Sequence, residues 1–203
     1  MIAILDYGVG NLFSLRSSLS CLSCLGLESK LTADPGELRA ADRIILPGVG
    51  AFEDAAKKLR DSGMADFVRS QAAEGKPLLG ICLGMQLLFE KSYEYGCHEG
   101  LGLLKGQVVP MEGKLPSELK IPHMGWNALE VKGGKLLSEM NGQYVYFVHS
   151  FFAENCHDSL SAVTEYGIPV TAAVEQGNVY GCQFHPEKSG NVGLNILRKF
   201  VEV

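Results

Sequence analysis

The chain has 203 residues, of which 46% are hydrophobic and 20% are charged. This composition is typical of a folded globular protein of roughly one domain, and it excludes an intrinsically disordered chain. Eighteen basic and 23 acidic side chains give a net charge of −5, and no cluster of Lys and Arg stands out. A protein that binds nucleic acid or an anionic membrane is therefore not expected.

No stretch of the sequence predicts a membrane span or an export signal. The most apolar segment, Pro77–Phe89, contains two glycines and a Gln, and it is shorter than the roughly 20 residues that a transmembrane helix needs. The chain begins with a strand-like pattern, without the basic n-region or the cleavage site of a signal peptide. We therefore expect a cytoplasmic protein whose six cysteines are thiols.

In the first half of the chain, strand patterns alternate with helical ones. Short apolar runs predict strands over residues 2–6, 27–31, 43–46 and 78–81. Apolar residues at helical spacing predict helices over residues 12–22, 52–59, 64–68 and 83–88, and Gly26 is placed to end the first of them. This alternation is typical of a parallel sheet that is covered by helices on both faces.

The second half of the chain carries strand patterns that are separated by short turns. They run over residues 107–110, 127–131, 143–149, 161–165, 170–175 and 178–184, and a helical pattern over residues 189–203 follows them. Short turns join neighbouring strands in antiparallel fashion. The sequence therefore predicts one α/β domain over residues 1–203, with an open, mostly parallel sheet, helices on both faces and antiparallel additions in the second half.

The sharpest chemical feature is Cys82 in the sequence Gly80-Ile-Cys-Leu-Gly84. It lies between a predicted strand and a predicted helix, as the nucleophile of an elbow turn does. Such a strained turn requires small residues two positions before and after the nucleophile, and both are glycine. A helix N-terminus would also favour the thiolate. A buried cysteine in a tight turn would give the same pattern, but the carboxyl end of a parallel strand is where α/β sheets bind ligands.

A base for this nucleophile is offered by the sequence His185-Pro-Glu187. A nucleophilic cysteine needs a histidine base and a carboxylate that orients the histidine. Pro186 restricts the backbone at its own position and at His185, which helps to set both side chains. Because a histidine and an acid at this spacing often occur by chance, the pattern gains weight only beside Cys82.

A third feature is the turn Pro47-Gly-Val-Gly50, which follows another predicted parallel strand. Its backbone N–H groups, together with that of Leu83, are suited to an oxyanion hole, although an ordinary glycine-rich turn has the same composition. Two other patterns predict no site. The pair Cys21-Leu-Ser-Cys24 lacks further zinc ligands, and the remaining histidines show no metal-ligand spacing. Neither a metal nor a cofactor is predicted.

Three motifs together resemble the class I, or triad, glutamine amidotransferases. They are GICLGMQ at 80–86, PGVG at 47–50 and HPEKS at 185–189, in the order of that family and over essentially the whole chain. Within it, PHMGWN at 122–127 and YFVHS at 146–150 are similar to the glutaminase subunits of imidazole glycerol phosphate synthase, from histidine biosynthesis. The resemblance implies a cofactor-free glutaminase that forms a heterodimer with a (β/α)8-barrel cyclase and delivers ammonia to it.

The resemblance also implies a role for each matching residue. Cys82 attacks the side-chain amide of glutamine, His185 transfers protons, and Glu187 orients His185. The other roles are the oxyanion hole for Leu83 and the turn of Gly48, Val49 and Gly50, substrate binding for Gln86, Ser150 and Phe151, and a place near the docking face for Asn11, His123, Trp126, Tyr146 and Lys188. Many members have Tyr and then a polar residue after the His-Ser pair, whereas this chain has Phe151-Phe152, so only backbone contacts to glutamine are expected there.

Three alternatives stay open on the sequence. The first is the glutaminase of another synthase, such as that of anthranilate, pyridoxal phosphate or guanylate, although such proteins are expected to lack PHMGWN. The second is a non-catalytic regulatory partner subunit, against which the intact Cys82, His185 and Glu187 argue. The third is a cysteine hydrolase of similar topology, which glutaminase and peptidase assays would distinguish.

Overall fold

The computed structural model describes residues 1–23 and 28–203. The first half contains strands β1 (Ile2–Leu5), β2 (Ser29–Thr32), β3 (Arg43–Leu46) and β4 (Leu78–Ile81), and helices α1 (Leu12–Ser20), α2 (Pro35–Ala40), α3 (Phe52–Asp61), α4 (Met64–Ala73) and α5 (Leu83–Gln86). The predicted alternation of strands and helices is confirmed. Cys24, Gly26 and the predicted strand start at Leu27 lie outside the described residues.

The second half consists mainly of strands. They are β5 (Phe89–Ser92), β6 (His98–Glu99), β7 (Leu104–Pro110), β8 (His123–Ala128), β9 (Glu130–Val131), β10 (Tyr144–His149), β11 (Phe151–Glu154), β12 (Leu160–Glu165), β13 (Pro169–Gln176) and β14 (Val179–Cys182). A 3-10 turn over Pro186–Lys188 and helix α6 (Gly190–Glu202) follow. The closing helix is therefore as predicted.

The central sheet has the strand order β2-β1-β3-β4-β14-β13-β12-β9. Its first five strands run parallel to one another, and β13, β12 and β9 are added in antiparallel fashion. This is the mostly parallel sheet with antiparallel additions that the sequence predicts. Because β4 and β14 are parallel neighbours, the segments that begin at Cys82 and Gln183 leave the sheet at the same edge.

Strand β1 shows how the sheet is covered on both faces. Ile2 and Ile4 belong to one buried cluster, which includes Leu15 of α1 and Phe200 of α6. Ala3 and Leu5 belong to a second cluster, which includes residues of α3 and α4 such as Leu59 and Val68. Alternate side chains of a strand point to opposite faces. The sheet therefore has two apolar faces. Helices cover both of them, so that the sheet is buried between two layers of helices.

Two smaller sheets complete the second half: an antiparallel pair of β10 with β8, and a four-stranded sheet of order β11-β7-β5-β6. Strands β5, β6 and β11 were not predicted from the sequence. Strand β11 forms by pairing with β7, with Phe151 opposite Pro110, and β5 pairs with β7 in parallel. The partner of β11 lies far along the chain, whereas β5 and β6, at four and two residues, are too short for a local pattern to reveal them.

The helix that was predicted over residues 83–88 is wrong in length, because α5 ends at Gln86. The carbonyl of Leu87 accepts the N–H of Leu101 at 2.8 Å, and the carbonyl of Leu88 accepts the N–H of Leu103 at 2.9 Å. These long-range bonds take the place of further helical bonds. Since Leu87 and Leu88 are fully buried, their apolar character did not distinguish a helix from a buried extended segment.

Helix α2 was missed, although its signals are present in the sequence. Asp34 precedes Pro35 at the first helical position, and the Asp34 side chain accepts the N–H of Glu37 at 2.8 Å. This is the usual arrangement of an N-cap followed by proline. Across the described ranges, no helix combines the length and the apolar character needed to cross a membrane.

Candidate active site

Cys82 lies in the turn between β4 and α5, in a backbone conformation with φ 55° and ψ −111°. A residue other than glycine rarely adopts a positive φ, and such strain often marks a functional position. A Cβ on Gly80 would stand 2.6 Å from the carbonyl oxygen of Gly84, and a Cβ on Gly84 would stand 1.9 Å from that of Leu46. The turn therefore requires both glycines, as the motif predicts, and it holds Cys82 in a strained elbow.

His185 and Glu187 lie beyond the end of β14 and form a buried pair. Nδ1 of His185 is 2.7 Å from Oε1 of Glu187, and each side chain is only 3% exposed. The backbone of His185 is held on both sides, because its N–H donates to the carbonyl of Tyr146 at 2.9 Å and its carbonyl accepts the hydroxyl of Ser189 at 2.7 Å. The pair is therefore set by β10 and by the start of α6.

Hydrogen bonding connects His185 to Cys82 as well as to Glu187. Burial alone would lower the pKa of His185, but its hydrogen bonds to Cys82 and Glu187 and their negative charges outweigh burial and raise that pKa to about 10. This is the direction expected for an imidazolium held between a thiolate and a carboxylate. With Nδ1 engaged by Glu187, Nε2 is the nitrogen left to exchange a proton with the sulfur. The structure thus brings the three predicted catalytic residues together.

The glycine turn after β3 lies directly beside this nucleophile. A Cβ on Gly48 would stand 2.7 Å from the backbone nitrogen of Gly84 and 2.9 Å from Cβ of Leu83. Tyr7 donates its hydroxyl to the carbonyl of Pro47 at 2.7 Å. Burial raises the pKa of Tyr7, and the charge of Cys82 raises it further. This donor therefore stays neutral. The turn is therefore packed against Leu83, the residue with which it is predicted to form the oxyanion hole.

A cleft of about 320 Å³ opens above Cys82, which suits a small-molecule ligand. The predicted residues that line it are Val49, Gly50, Cys82, Leu83, Gln86, Ser150, Phe151, His185 and Lys188. Residues from the turns after β3 and β4, from α5, from β10 and β11, and from the segment after β14 are thus gathered around one opening. Among the described residues, no group of three or more His, Cys, Asp or Glu side chains is arranged to hold a metal ion.

The cleft also contains residues that were not predicted from the sequence. Glu94 lines it, and its carboxylate accepts the N–H of Phe52 at 2.8 Å. Burial raises the pKa of Glu94, although the bond from Phe52 opposes this shift. An acid flanked by two tyrosines was the signal available in the sequence, but its approach to the cleft depends on the pairing of β5 with β7.

Gln183 was missed as well, although it stands two residues before His185. Its side-chain amide lies within hydrogen-bonding distance of both Cys82 and Gln86. Because Gln183 lies in a buried and otherwise apolar stretch that continues from β14, nothing in the spacing distinguishes this polar residue from a core position.

His149 is a further titratable residue at the cleft. Its Nδ1 lies 2.8 Å from the carbonyl oxygen of Phe151, so that Nδ1 carries the proton and donates it. Nε2 lies 3.0 Å from Nδ1 of His123. Burial is the main cause that lowers the pKa of His149, to about 3. The residue is therefore a neutral donor that holds the backbone at the start of β11.

The residues predicted for the docking face fall into two groups. Trp126 is half exposed, its ring centroid lies 6.0 Å from that of Tyr146, and Nζ of Lys188 lies 5.6 Å from the centroid of Tyr146. Asn11 is partly exposed at the start of α1. In contrast, His123 is completely buried, with its ring stacked on Phe147 at 4.8 Å. It therefore lies behind the surface rather than on it.

Comparison with solved structures supports the fold. A crystal structure of a glutamine amidotransferase superposes with a TM-score of 0.76 at 24% sequence identity, over 99% of this chain and 97% of that one. PurLQS from Thermotoga maritima superposes with a TM-score of 0.75 at 21% identity, over 99% and 97% of the two chains. At such low identity, these similarities concern the architecture alone.

Sequence comparison places the chain more closely. The family model for class-I glutamine amidotransferases matches residues 3–203. The HisH subunit of imidazole glycerol phosphate synthase from Caldanaerobacter subterraneus subsp. tengcongensis is 51% identical over 100% of this chain and 98% of its own length. The HisH subunit from Bacillus licheniformis is 50% identical over 98% and 95% of the two chains. The chain therefore belongs to the class-I glutamine amidotransferases and, within them, to the HisH subunits of imidazole glycerol phosphate synthase.

Proposed function

We propose that this chain is the glutaminase subunit of an imidazole glycerol phosphate synthase. It hydrolyses glutamine to glutamate and ammonia and passes the ammonia to a cyclase partner in histidine biosynthesis. The single observation that carries this proposal is the buried arrangement of Cys82, His185 and Glu187 at the base of one cleft. The full-length similarity to HisH subunits supports the choice of this synthase over those of anthranilate, pyridoxal phosphate or guanylate.

The first half of the reaction forms a thioester. The sulfur of Cys82 attacks the side-chain amide carbon of glutamine, and the carbonyl oxygen becomes negatively charged. His185 then gives its Nε2 proton to the amide nitrogen, the carbon–nitrogen bond breaks, and ammonia leaves. The short bond to Glu187 holds the imidazole for both steps. A γ-glutamyl thioester on Cys82 remains.

The second half restores the enzyme. His185, now neutral, takes a proton from a water molecule that attacks the thioester carbon. The carbon–sulfur bond breaks, glutamate forms, and the imidazolium and the thiolate are present again. Each turnover thus consumes one glutamine and one water and releases one glutamate and one ammonia. No cofactor takes part in this scheme.

The negative oxygen of each tetrahedral intermediate needs hydrogen-bond donors. We assign this role to the N–H of Leu83 and to one N–H of the turn formed by Gly48, Val49 and Gly50. Leu83 supports the assignment because it is the first residue of α5, where the backbone N–H has no partner within the helix. Gly50 supports it because its φ of 93° gives the turn a backbone that most residues do not adopt.

The two ends of glutamine require different contacts. The carboxylate of Glu94 faces the cleft and is suited to the α-ammonium group of the substrate, while the backbone at Ser150 and Phe151 is suited to its α-carboxylate. Both side-chain protons of Gln86 are already used within the protein, at 3.1 Å to Phe151 and 2.9 Å to Gln183. Gln86 is therefore left with its Oε1 as the atom that can accept a hydrogen bond from substrate.

We assign the docking face to the surface around Trp126, Tyr146 and Lys188, with Asn11 beside it and His123 as its buried support. Met124, on the same strand as Trp126, is 60% exposed, and exposed apolar side chains of this size often mark a protein interface. Lys188 reaches from this surface to the cleft. A partner that docks here would therefore receive ammonia close to where it forms. The partner is proposed to be a cyclase with a (β/α)8-barrel fold.

The test combines this chain with the cyclase subunit and the nucleotide acceptor of the synthase, and it measures release of glutamate together with formation of imidazole glycerol phosphate. Both products should appear with glutamine, and Cys82→Ser should produce imidazole glycerol phosphate only when ammonium salt is added. A glutamine-like diazo-ketone should label Cys82 alone. Turnover with a different synthase partner, or label on another cysteine, would contradict the proposal.

A further inference from the structure

Gln183 is a polar residue in the middle of the apolar core. It follows β14 directly, it is fully buried, and its backbone N–H donates to the carbonyl of Ala172 at 2.9 Å. Its side-chain nitrogen lies 3.7 Å from the sulfur of Cys82. Its side-chain oxygen accepts a hydrogen bond from Gln86 at 2.9 Å. A buried amide of this kind costs free energy unless its polar atoms are paired.

The orientation of the Gln183 amide follows from a chain of obligatory hydrogen bonds. The carbonyl oxygen of Phe151 can only accept, so that the atom of Gln86 at 3.1 Å from it has to be the donor Nε2. The second proton of this Nε2 points to Gln183, which has to present its oxygen. The remaining atom of the Gln183 amide, the donor Nε2, therefore faces the sulfur of Cys82.

A donor in this position distinguishes a thiolate from a thiol. Hydrogen bonds to a charged acceptor are roughly twice as strong as those between neutral groups, so that an N–H aimed at sulfur favours the ionised form. The amide itself does not titrate, and its orientation is set by a backbone carbonyl. The donor thus keeps its direction whether Cys82 is charged or neutral.

We propose that Gln183 is a further catalytic residue, whose side-chain N–H stabilises the thiolate of Cys82. It acts together with His185: the imidazolium supplies the charge and the proton, and Gln183 supplies a fixed neutral donor to the same sulfur. The inference rests on the proposed function for the identity of the nucleophile. Its physical content, a larger fraction of Cys82 present as thiolate when the donor of Gln183 is in place, can be measured without glutamine.

The experiment measures the rate at which iodoacetamide alkylates Cys82 as a function of pH, followed by mass spectrometry of the peptide that contains Cys82. In Gln183→Met, which preserves length but removes the donor, the midpoint of the pH profile should rise by about one unit. Below the midpoint, this corresponds to about tenfold less thiolate than in the wild type at the same pH. In Gln183→Glu, whose carboxylate faces the sulfur, the midpoint should rise further.

A matched control is available in Gln71, a buried glutamine on α4 that is 2% exposed and donates to Glu74 at 3.0 Å. The variant Gln71→Met should leave the midpoint of Cys82 alkylation unchanged. An unchanged midpoint in Gln183→Met with a native circular dichroism spectrum would overturn the proposal, and so would an equal shift in Gln71→Met.

A second measurement covers the case in which Gln183→Met does not fold. In the wild type, the chemical shifts of the side-chain amide protons of Gln183 should change with pH, with the same midpoint as alkylation of Cys82. Chemical shifts that stay constant through this midpoint would overturn the proposal. The two proposals can also be separated. Failure of glutamine hydrolysis with the cyclase partner contradicts only the proposed function, whereas normal hydrolysis with an unchanged midpoint in Gln183→Met contradicts only the role of Gln183.

Discussion

The hydrogen bond between His185 and Glu187 offers a quantitative test of the catalytic assignment. Replacing Glu187 by Gln preserves the shape of a side chain that is only 3% exposed, and its amide oxygen can still accept the proton on Nδ1. The amide nitrogen would occupy the place of Oε2 of Glu187, a buried atom with no hydrogen-bond partner among the described residues. Since no donor there opposes this orientation, Glu187→Gln should fold and retain the tautomer of His185.

The expected loss follows from the charge. A hydrogen bond to a charged group is worth about 1.5–3 kcal/mol and a neutral one about 0.5–1.5 kcal/mol. Removing the charge at 2.7 Å from Nδ1 should therefore cost about 1–2 kcal/mol of imidazolium stabilisation, which is roughly a 5- to 30-fold loss in glutamine hydrolysis. Replacing His185 by Ala removes the proton carrier itself and should cost about 10³-fold or more.

The assay is glutamate release in the presence of the cyclase partner and its nucleotide, measured from neutral to alkaline pH. Because the charge of Glu187 helps to raise the pKa of His185, the variant should lose activity at a lower pH than the wild type. Glu130→Gln, a change of an exposed carboxylate on β9, serves as the control and should behave as the wild type. A loss as large as that of His185→Ala, or no loss, would refute the assigned roles.

Three further outcomes are expected. Cys82→Ser should abolish glutamine hydrolysis without loss of fold, because a hydroxyl is a far weaker nucleophile here than a thiolate. Retained glutaminase activity would refute the assignment of Cys82 as the nucleophile. Gly50→Val should reduce activation of the glutaminase by the partner and its nucleotide more than it reduces docking, because Gly50 has a φ of 93° and one oxyanion donor is worth about 10²–10³ in rate. Rates with and without the partner test this, and full activity of the isolated wild type would remove the reason to expect activation. Finally, urea unfolding should show that the wild type loses stability relative to His149→Gln as the pH falls from about 6.5 towards about 3. His149 stays neutral in the folded protein and takes up a proton on unfolding. The free energy of unfolding should therefore fall by up to about 1.4 kcal/mol per pH unit. Parallel stability curves for the two proteins would contradict the burial of a neutral His149.

The sequence by itself determined the elements whose causes are local. The run of apolar residues in β4, the two glycines around Cys82 and the proline after His185 each act within a few positions. A tight elbow excludes a side chain at Gly80 whatever the rest of the chain does, because a Cβ there would stand 2.6 Å from the carbonyl oxygen of Gly84 in the same turn. For this reason the strand, the turn and the place of the nucleophile were predictable, and so was the parallel half of the sheet.

Only the tertiary structure decided which distant segments meet. Strand β11 exists because it pairs with β7, and α5 stops at Gln86 because Leu87 and Leu88 bond with residues 101 and 103. The approach of Glu94 to the cleft depends on the same pairings. The contacts of Gln183 follow from β14 lying next to β4, since only that neighbourhood brings its amide to the sulfur of Cys82. Because these contacts join segments that are far apart in the chain, neither β11 nor the positions of Glu94 and Gln183 at the site could be predicted from spacing.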